Sequence, residues 1–437
     1  MPAQPTSSQK SLILFGERGW DRLAFGRLRT RWPQVYSGFD LFKFPSNLRL
    51  CWLNFERYAL SASLQMRRHG AQAAISTQEH FGALIAALIA ERHRMPGPTV
   101  SSILTCQHKL YARHILERVA PEANLRFARL DKMSLDSISD QLSFPVFVKP
   151  IRAAFSVLAS RVDHPRALHQ RSHLNAWDHW VIRRLIDPFE QICARRIPEA
   201  GSAHGMIIET CQRGEHYCLD GYYFRGQLRI LGVVGAQMYP GTHAFMRFDY
   251  PSKLSESIVE RAAEIADRFF SAIQFHHGLF NMEFFYHEPT DELKVIEVNP
   301  RMASQFSELY QRVSGVNLHE ICLALAHDID PLSLERGEPE NACASSFVYR
   351  SFGPILEHMW PTSAQVSALS ARHPRSMLFT YPQSTRAIAR ELRWVGSYRY
   401  AVLFLGGSSP QDLNQRCHDA SETLGWPAPT GDADHNH

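Results

Sequence analysis

Apolar runs alternate with amphipathic stretches through the first third of the chain, the pattern of strands and helices layered in an α/β sheet. The strands predicted there are Ser11–Phe15, Leu48–Phe55 and Gln72–Ile75, with a helix from Glu56 to His69 closed by Gly70. Ser76 followed by Glu79 predicts a capping box, each side chain satisfying a backbone amide of the turn, which opens a helix running through Glu91. Met95-Pro-Gly-Pro98 then breaks the pattern. Further on come a helical stretch at Cys106–Arg118, a buried strand in Phe144-Pro-Val-Phe-Val-Lys-Pro150, and Phe155–Val162 as its hairpin partner. From Gly205 the pattern predicts Met206–Glu209, the strands Tyr217–Phe224 and Gln227–Gly235 around Arg225-Gly226, and an amphipathic helix at Leu254–Ile273. Pro331 to Asn341 is loop-like, and a last α/β unit follows, with strands at Ala344–Tyr349 and Arg399–Leu405 and a helix at Pro410–Leu424. No internal repeat is present.

The segment richest in chemistry is Leu279–His287, a turn at Glu288–Glu292, and Leu293–Asn299. Two β-rich runs around Pro289 predict an antiparallel hairpin. With the turn centred near residue 290, Glu283 lies opposite Glu297 and Asn281 opposite Asn299, all four on one face. Met282, Phe284, Tyr286, Ile296 and Val298 take the other. Two carboxylates directly across a strand pair repel, so a cation is expected between them. Glu283, Glu297 and the Asn299 amide are hard oxygen ligands suited to magnesium, which takes its remaining ligands from water and substrate phosphates. A hydrated, solvent-facing strand is the alternative reading of the same geometry.

Composition narrows the setting. At roughly 150 residues per domain, 437 residues predict about three domains. Hydrophobic residues at 45% and charged ones at 21% argue against wholesale disorder, and a net charge of +4 over such a length gives no case for nucleic-acid binding. Cysteines at 51, 106, 193, 211, 218, 322, 343 and 417 form no C-x-x-C pair, which disfavours a zinc ribbon or a disulfide framework. The first ten residues lack a basic stretch followed by an apolar core, and the apolar stretch Phe81–Ala90 is far short of the roughly 20 residues of a membrane span. A cytoplasmic protein with no membrane partner is the expectation.

Glu297-Val-Asn-Pro-Arg301, preceded by Gly278-Leu-Phe-Asn-Met-Glu283, resembles the metal strand of the ATP-grasp superfamily of carboxylate-amine ligases, whose pattern is Glu-x-Asn-Pro-Arg. The resemblance covers roughly residues 100 to 330 and implies an α/β protein of ATP-grasp fold. The expected divisions are an N-terminal Rossmann-like α/β domain at 1–104, a linker helix and lid subdomain at 105–204, a metal and nucleotide domain at 205–330, and a C-terminal α/β addition with its tail at 331–437.

The same resemblance implies the site. Lys109 and Lys149 match the two lysines that grip the nucleotide phosphates, and magnesium, with manganese as an alternative, falls to Glu283, Glu297 and Asn299. Ile207-Ile-Glu-Thr-Cys-Gln212 resembles the adenine hinge, with Glu209 accepting from the exocyclic amine and Thr210, Cys211 and Gln212 at the ring edge. Arg301 is implied to contact the transferred phosphoryl group or the acid substrate, with catalytic roles shared by Lys109 and Lys149. Arg247 and Ser304 are further substrate candidates, by position alone. Two features depart from the family. The ribose is usually held by an acid two residues after a glycine, whereas Gly214-Glu-His-Tyr217 offers Glu215 or His216. The lid loop, normally glycine-rich, reads Ile151-Arg-Ala-Ala-Phe-Ser156, which leaves Ser156 and nearby amides for the phosphates and makes the loop stiffer.

The implied reaction joins a small-molecule carboxylate to an amine, with an amino acid as one substrate, through an acyl phosphate and with release of ADP and phosphate. A homodimer is a further expectation, since related ligases often pair. The alternatives are a biotin-carboxylase-like carboxylase, whose glycine-dense lid is not evident here, and a nucleotide-binding protein without turnover.

Overall fold

The computed structural model describes residues 9–16, 19–40, 46–130, 142–152, 159–165, 167, 176–353 and 360–431. Strands β1 (Ser11–Leu14), β2 (Gln34–Ser37) and β3 (Ala73–Ile75) form a parallel sheet in the order β2-β1-β3. The second strand in the chain is the short polar-flanked run Gln-Val-Tyr-Ser, not Leu48–Phe55. That apolar run instead enters a 3-10 turn at Ser46–Trp52 and a helix at Phe55–Arg68, because the Asn54 side chain accepts from the Arg57 amide at 2.9 Å and caps the helix start.

The expected capping box at Ser76 does not form. Ser76 Oγ donates to the Leu14 carbonyl at 2.8 Å and accepts from the Gln78 amide at 3.1 Å, and Glu79 opens a π-helical turn, Glu79–Ala83, ahead of the helix Leu84–His93. Gly82 makes this possible, since a Cβ there would lie 1.9 Å from Ser76 Oγ. Glu79 is thereby released from helix capping.

The predicted helix at Cys106–Arg118 is two helices, Val100–Gln107 and Lys109–Val119, broken at His108. His108 Nδ1 accepts from the Tyr111 amide at 3.1 Å, capping the second helix, so Lys109 is that helix's first residue. A small antiparallel sheet follows in the order β4-β7-β5-β6, from β4 (Phe127–Arg129), β5 (Val146–Pro150), β6 (Ser160–Val162) and β7 (Met206–Thr210). The expected hairpin of β5 with β6 is present, and residues 155–158 of its predicted second strand lie outside the described residues.

The largest sheet holds eight antiparallel strands in the order β12-β11-β8-β9-β10-β13-β15-β14. These are β8 (Glu215–Phe224), β9 (Gln227–Met238), β10 (Phe245–Tyr250), β11 (Gly278–His287), β12 (Glu292–Asn299), β13 (Cys343–Ser351), β14 (Met377–Thr380) and β15 (Tyr398–Gly407). The strands after residue 331 therefore extend the sheet that carries the acidic hairpin. The helix Glu256–Ala272 buries Ile265, Ala266, Phe269 and Phe270 under Met282, Phe284 and Val295 on one face, and this core continues into Leu12, Phe55 and Leu104 of the N-terminal part. On the other face Phe306, Leu309 and Tyr310 pack against Val234, Phe248 and Val348. Among the described residues no helix is long and apolar enough to cross a membrane.

A buried polar knot fastens the N-terminal part to the large sheet. Asp21, with 0% exposure, accepts from Thr77 Oγ1 at 2.9 Å and pairs with His319 Nε2 at 2.8 Å, and His319 Nδ1 meets Ser307 Oγ at 3.0 Å. Serine, histidine and aspartate here are arranged as in a nucleophilic triad, but all three are buried and their work is structural. Removing one member of such a pair strands the others in a dry site, so Asp21→Ala is expected to lower unfolding stability by about 3–5 kcal/mol in denaturant titration.

Candidate active site

The hairpin of β11 and β12 has the expected register at its functional end: Asn281 faces Asn299, and Glu283 faces Glu297. Immediately beyond, the register slips by one residue, so Phe284 pairs with Val295 and Ile296 is the extra residue of a bulge. Val295, not Ile296, fills the apolar face and is 0% exposed. The bulge is held by Arg113, whose Nη1 donates to the Val295 carbonyl at 2.7 Å and Nη2 to the Ile296 carbonyl at 2.8 Å.

Arg113 also ties this hairpin to the small sheet. Its Nε donates to Glu209 Oε1 at 2.7 Å, while Lys149 Nζ reaches Glu209 Oε2 at 2.8 Å. Lys149 pairs with Ile207 and Glu209 with Phe147, so the lysine and the glutamate are diagonal neighbours on one face of β5 and β7. Burial opposes ionisation of Glu209, but Arg113 and Lys149 outweigh it and hold its carboxyl below the ordinary range. Burial pushes the Lys149 ammonium below its usual value, with Glu209 pulling it back up. The Glu209 carboxylate is thus committed to two cations, in place of the expected contact with an exocyclic amine. At the exposed end of β7 the Gln212 amide donates to Thr210 Oγ1 at 3.3 Å, and Cys211 beside them is half-buried.

Lys109, at the N-terminus of its helix, places Nζ 2.5 Å from Glu297 Oε1. Burial of Glu297 is overcome by Lys109 and Lys149, and its carboxyl is lowered to about 2. On the neighbouring strand His216 Nε2 lies 3.3 Å from Glu283 Oε2, and its ring packs on Phe245 and Phe285. Strand alternation separates Glu215 from His216: His216 shares the face of Glu283, while Glu215 turns to the other side and accepts from Tyr217 at 2.5 Å. Gly214 has φ +101, and a Cβ there would sit 2.2 Å from the Tyr286 carbonyl oxygen, so glycine is what lets the chain enter β8 at this point.

Beneath the carboxylates runs a chain of amides. Asn281 Nδ2 donates to Asp220 Oδ1 at 3.0 Å, which turns Asn281 Oδ1 toward Asn299 Nδ2 at 3.3 Å; Asn299 Nδ2 also donates to Glu283 Oε1 at 3.1 Å. Asp220 has no donor of its own when ionised, so it orients Asn281, and Asn281 in turn orients Asn299 with Oδ1 as the available ligand atom. Tyr310 donates to the second Asp220 oxygen at 2.9 Å, and burial raises the Asp220 carboxyl to about 7.

Arg301, two residues past Asn299, donates from Nη2 to Glu79 Oε2 at 3.0 Å. Arg152 Nη1 lies 4.0 Å from the other Glu79 oxygen and its guanidinium covers the Phe189 ring at 4.6 Å. Sequence reasoning does not find Glu79, Arg152, Arg113 or Asp220. The spacing of Glu79 from Ser76 assigns it to a helix cap, and the other three carry no motif, although Arg152 is the one charged residue in the glycine-poor stretch 151–156.

Two expected substrate contacts do not join the cluster. Arg247 points from the opposite face of the large sheet, since it pairs with Gln237 and Phe347 while its neighbour Phe248 shares the His216 face through Ala236. Its guanidinium is taken by Asp249, Asn414 and Ser345 and lies over Phe347. Ser304 is buried in the interdomain knot, accepting from Trp20 Nε1 at 3.0 Å and facing Asp21. Ser156 lies outside the described residues.

The donor set fits a hard divalent cation. Glu283 and Glu297 present carboxylates across one strand pair with the Asn299 amide beside them, each of the two glutamate side chains 24% exposed at the cleft. Among the described residues no three His, Cys, Asp or Glu side chains converge as a self-sufficient metal cage.

Residues 142–308 match the ATP-grasp domain, and the chain carries that domain. A D-alanine–D-alanine ligase from Oceanobacillus iheyensis is 24% identical over 250 residues, covering 54% of this chain and 61% of the ligase. The chain thus spans about three fifths of that relative's length. Among solved structures, an L-amino acid ligase from Bacillus licheniformis superposes with a TM-score of 0.69 at 15% identity, over 95% of this chain and 98% of that one. An N5-carboxyaminoimidazole ribonucleotide synthetase from Thermus thermophilus gives 0.64 at 15% identity, over 95% and 99%. At such identities the structural likeness establishes the fold: an ATP-grasp architecture along nearly the whole chain.

Two expectations follow. Asp220→Ala removes the acceptor that turns Asn281 and so releases the amide chain. Manganese affinity in the presence of ATP, read by electron paramagnetic resonance, is expected to weaken about 10–100-fold with the fold retained by circular dichroism. His108 is buried and its pKa is lowered to about 4. Between that value and about 6.5 the unfolded chain binds the extra proton, so stability falls as pH drops through this window, by up to about 3 kcal/mol from this residue. His108→Asn keeps a helix-capping acceptor without a titrating group and is expected to flatten the acid limb of the stability profile.

Proposed function

We propose that the protein is an ATP-dependent carboxylate-amine ligase with an amino acid as one substrate. The observation that carries this reading is the meeting of Lys109, on a helix N-terminus, with Glu297 of the acidic hairpin, beside Lys149 and Arg301. Three segments distant in sequence, around residues 109, 149 and 297–301, place opposed charges around one cleft, the arrangement that transfer of a polyanionic phosphoryl group requires.

In this reading Lys109 and Lys149 neutralise the nucleotide phosphates, and the main chain at Thr210, Cys211 and Gln212 reads the base edge. His216 faces the ribose. Glu283, Glu297 and Asn299 would hold magnesium, and manganese suits the same oxygen set; the ion supplies neutralisation of phosphate charge. Arg301 holds the acid substrate, a guanidinium matching a carboxylate bidentately. The substrate carboxylate attacks the terminal phosphorus, breaking its bond to the bridging oxygen and giving an acyl phosphate and ADP. An amine then displaces phosphate and loses a proton to form the amide. No covalent enzyme nucleophile is needed, so catalysis comes from positioning and charge. The likeness to ligases of D-alanine and of L-amino acids supports this choice of substrates.

The test is to incubate the protein with ATP, magnesium, candidate acids and hydroxylamine, which traps an acyl phosphate as hydroxamate. Hydroxamate with matching ADP release is expected. Glu297→Ala is expected to lower that rate at least about a hundredfold with the fold retained by circular dichroism. Undiminished activity in this variant would remove Glu297 from the reaction.

A further inference from the structure

A cavity of about 80 Å³ opens behind Arg301, between β3, the helix Leu84–His93 and the helix Leu318–Ala326. Six alanines line it: Ala74, Ala83, Ala86, Ala87, Ala90 and Ala326. Small side chains on packed helices leave space that larger ones would fill, and this space is several times the roughly 10–15 Å³ that one water occupies by the same measure. Its polar edges are mostly satisfied. Ser76 is bonded to Leu14 and Gln78, and His277 Nε2 meets the Leu325 carbonyl at 2.7 Å. Water would find few partners there, whereas an aliphatic group would lose nothing by entering.

Arg301 is the one fully charged side chain in the lining among the described residues, and its guanidinium carries Glu79 at 3.0 Å. Through Arg301, which lines it, the apolar cavity therefore has a cation and an anion side by side next to it, at 21% and 19% side-chain exposure. That pair is complementary to the ammonium and carboxylate of one α-amino acid, with the side chain directed into the alanine-lined space.

We infer that the acid substrate is an α-amino acid with an aliphatic side chain, its carboxylate on Arg301, its ammonium on Glu79 and its side chain in this cavity. The inference rests on the ligase reading for its chemistry and on the cavity for its selectivity. Each buried methylene favours binding about fourfold, so a leucine-sized side chain should exceed glycine about 50-fold or more.

The experiment compares hydroxamate formation from glycine, valine, leucine, aspartate and lysine, with calorimetric titration of leucine and glycine in the absence of nucleotide. Leucine or valine is expected to lead glycine about 50-fold in kcat/KM, with aspartate and lysine below glycine. Ala86→Leu fills the cavity from a half-buried position and should lower kcat/KM for leucine at least about tenfold more than for glycine. Leu279→Ala enlarges it and should shift preference toward methionine and phenylalanine, a gain that misfolding does not produce. Hydroxamate formed equally from all five acids, or losses in Ala86→Leu that do not depend on the side chain, overturns the inference while leaving the ligase reading intact. Selective leucine binding without hydroxamate from any acid overturns the ligase reading and supports the cavity. Absence of both defeats the two together.

Discussion

Two glutamates that face each other across adjacent strands repel, and the cationic side chains gathered beside Glu283 and Glu297 offset that repulsion. Lys109 arrives on the start of a helix whose cap is a buried histidine, and Lys149 arrives on a strand of a different sheet. His216 supplies a ring nitrogen on the Glu283 side. Each comes from a separate element, so the electrostatics of one strand pair fixes how the small sheet, the 109–119 helix and the large sheet must meet.

Arg113 shows how that meeting is made rigid. One buried guanidinium spans the Glu209 carboxylate and two bulge carbonyls of β12, joining the sheet that bears Lys149 to the hairpin that bears Glu297. The bulge it stabilises has a further effect. It lets Glu283 and Glu297 remain opposite while the apolar residues beyond them shift to keep Phe284 and Val295 in the core. Asp21 does the equivalent at the N-terminal part, where Thr77 and His319 converge on it and position the segment carrying Glu79 near Arg301. Arg152, at the start of the glycine-poor stretch 151–156, adds a buried cation stacked on Phe189.

The strand pairing of the acidic hairpin was legible because period-two alternation and a Pro-containing turn specify register locally. The Leu48–Phe55 segment misled because an apolar run looks alike in a buried strand and in a helix start, and a single Asn54 side chain decided between them. Glu79 was concealed by its spacing from Ser76, which fits a capping box; close packing of Gly82 against Ser76 removed that option. Arg247 and Ser304 lie near the motif in sequence, but strand alternation sends one to the far face and interdomain packing buries the other.

The amino-acid sequence by itself determined the acidic hairpin, its opposed carboxylates, the order of lysines and Arg301 around it, and the ATP-grasp resemblance these carry. All of them rest on periodicity and short spacings, which neighbouring residues control. Tertiary structure alone decided which lysine meets which glutamate, that Glu209 serves Lys149 and Arg113, that Asp220 orients the Asn281 and Asn299 amides, and that Glu79 pairs with Arg301. Those contacts join residues between 18 and 222 positions apart, and only the packing of one element against another brings such groups within hydrogen-bond reach.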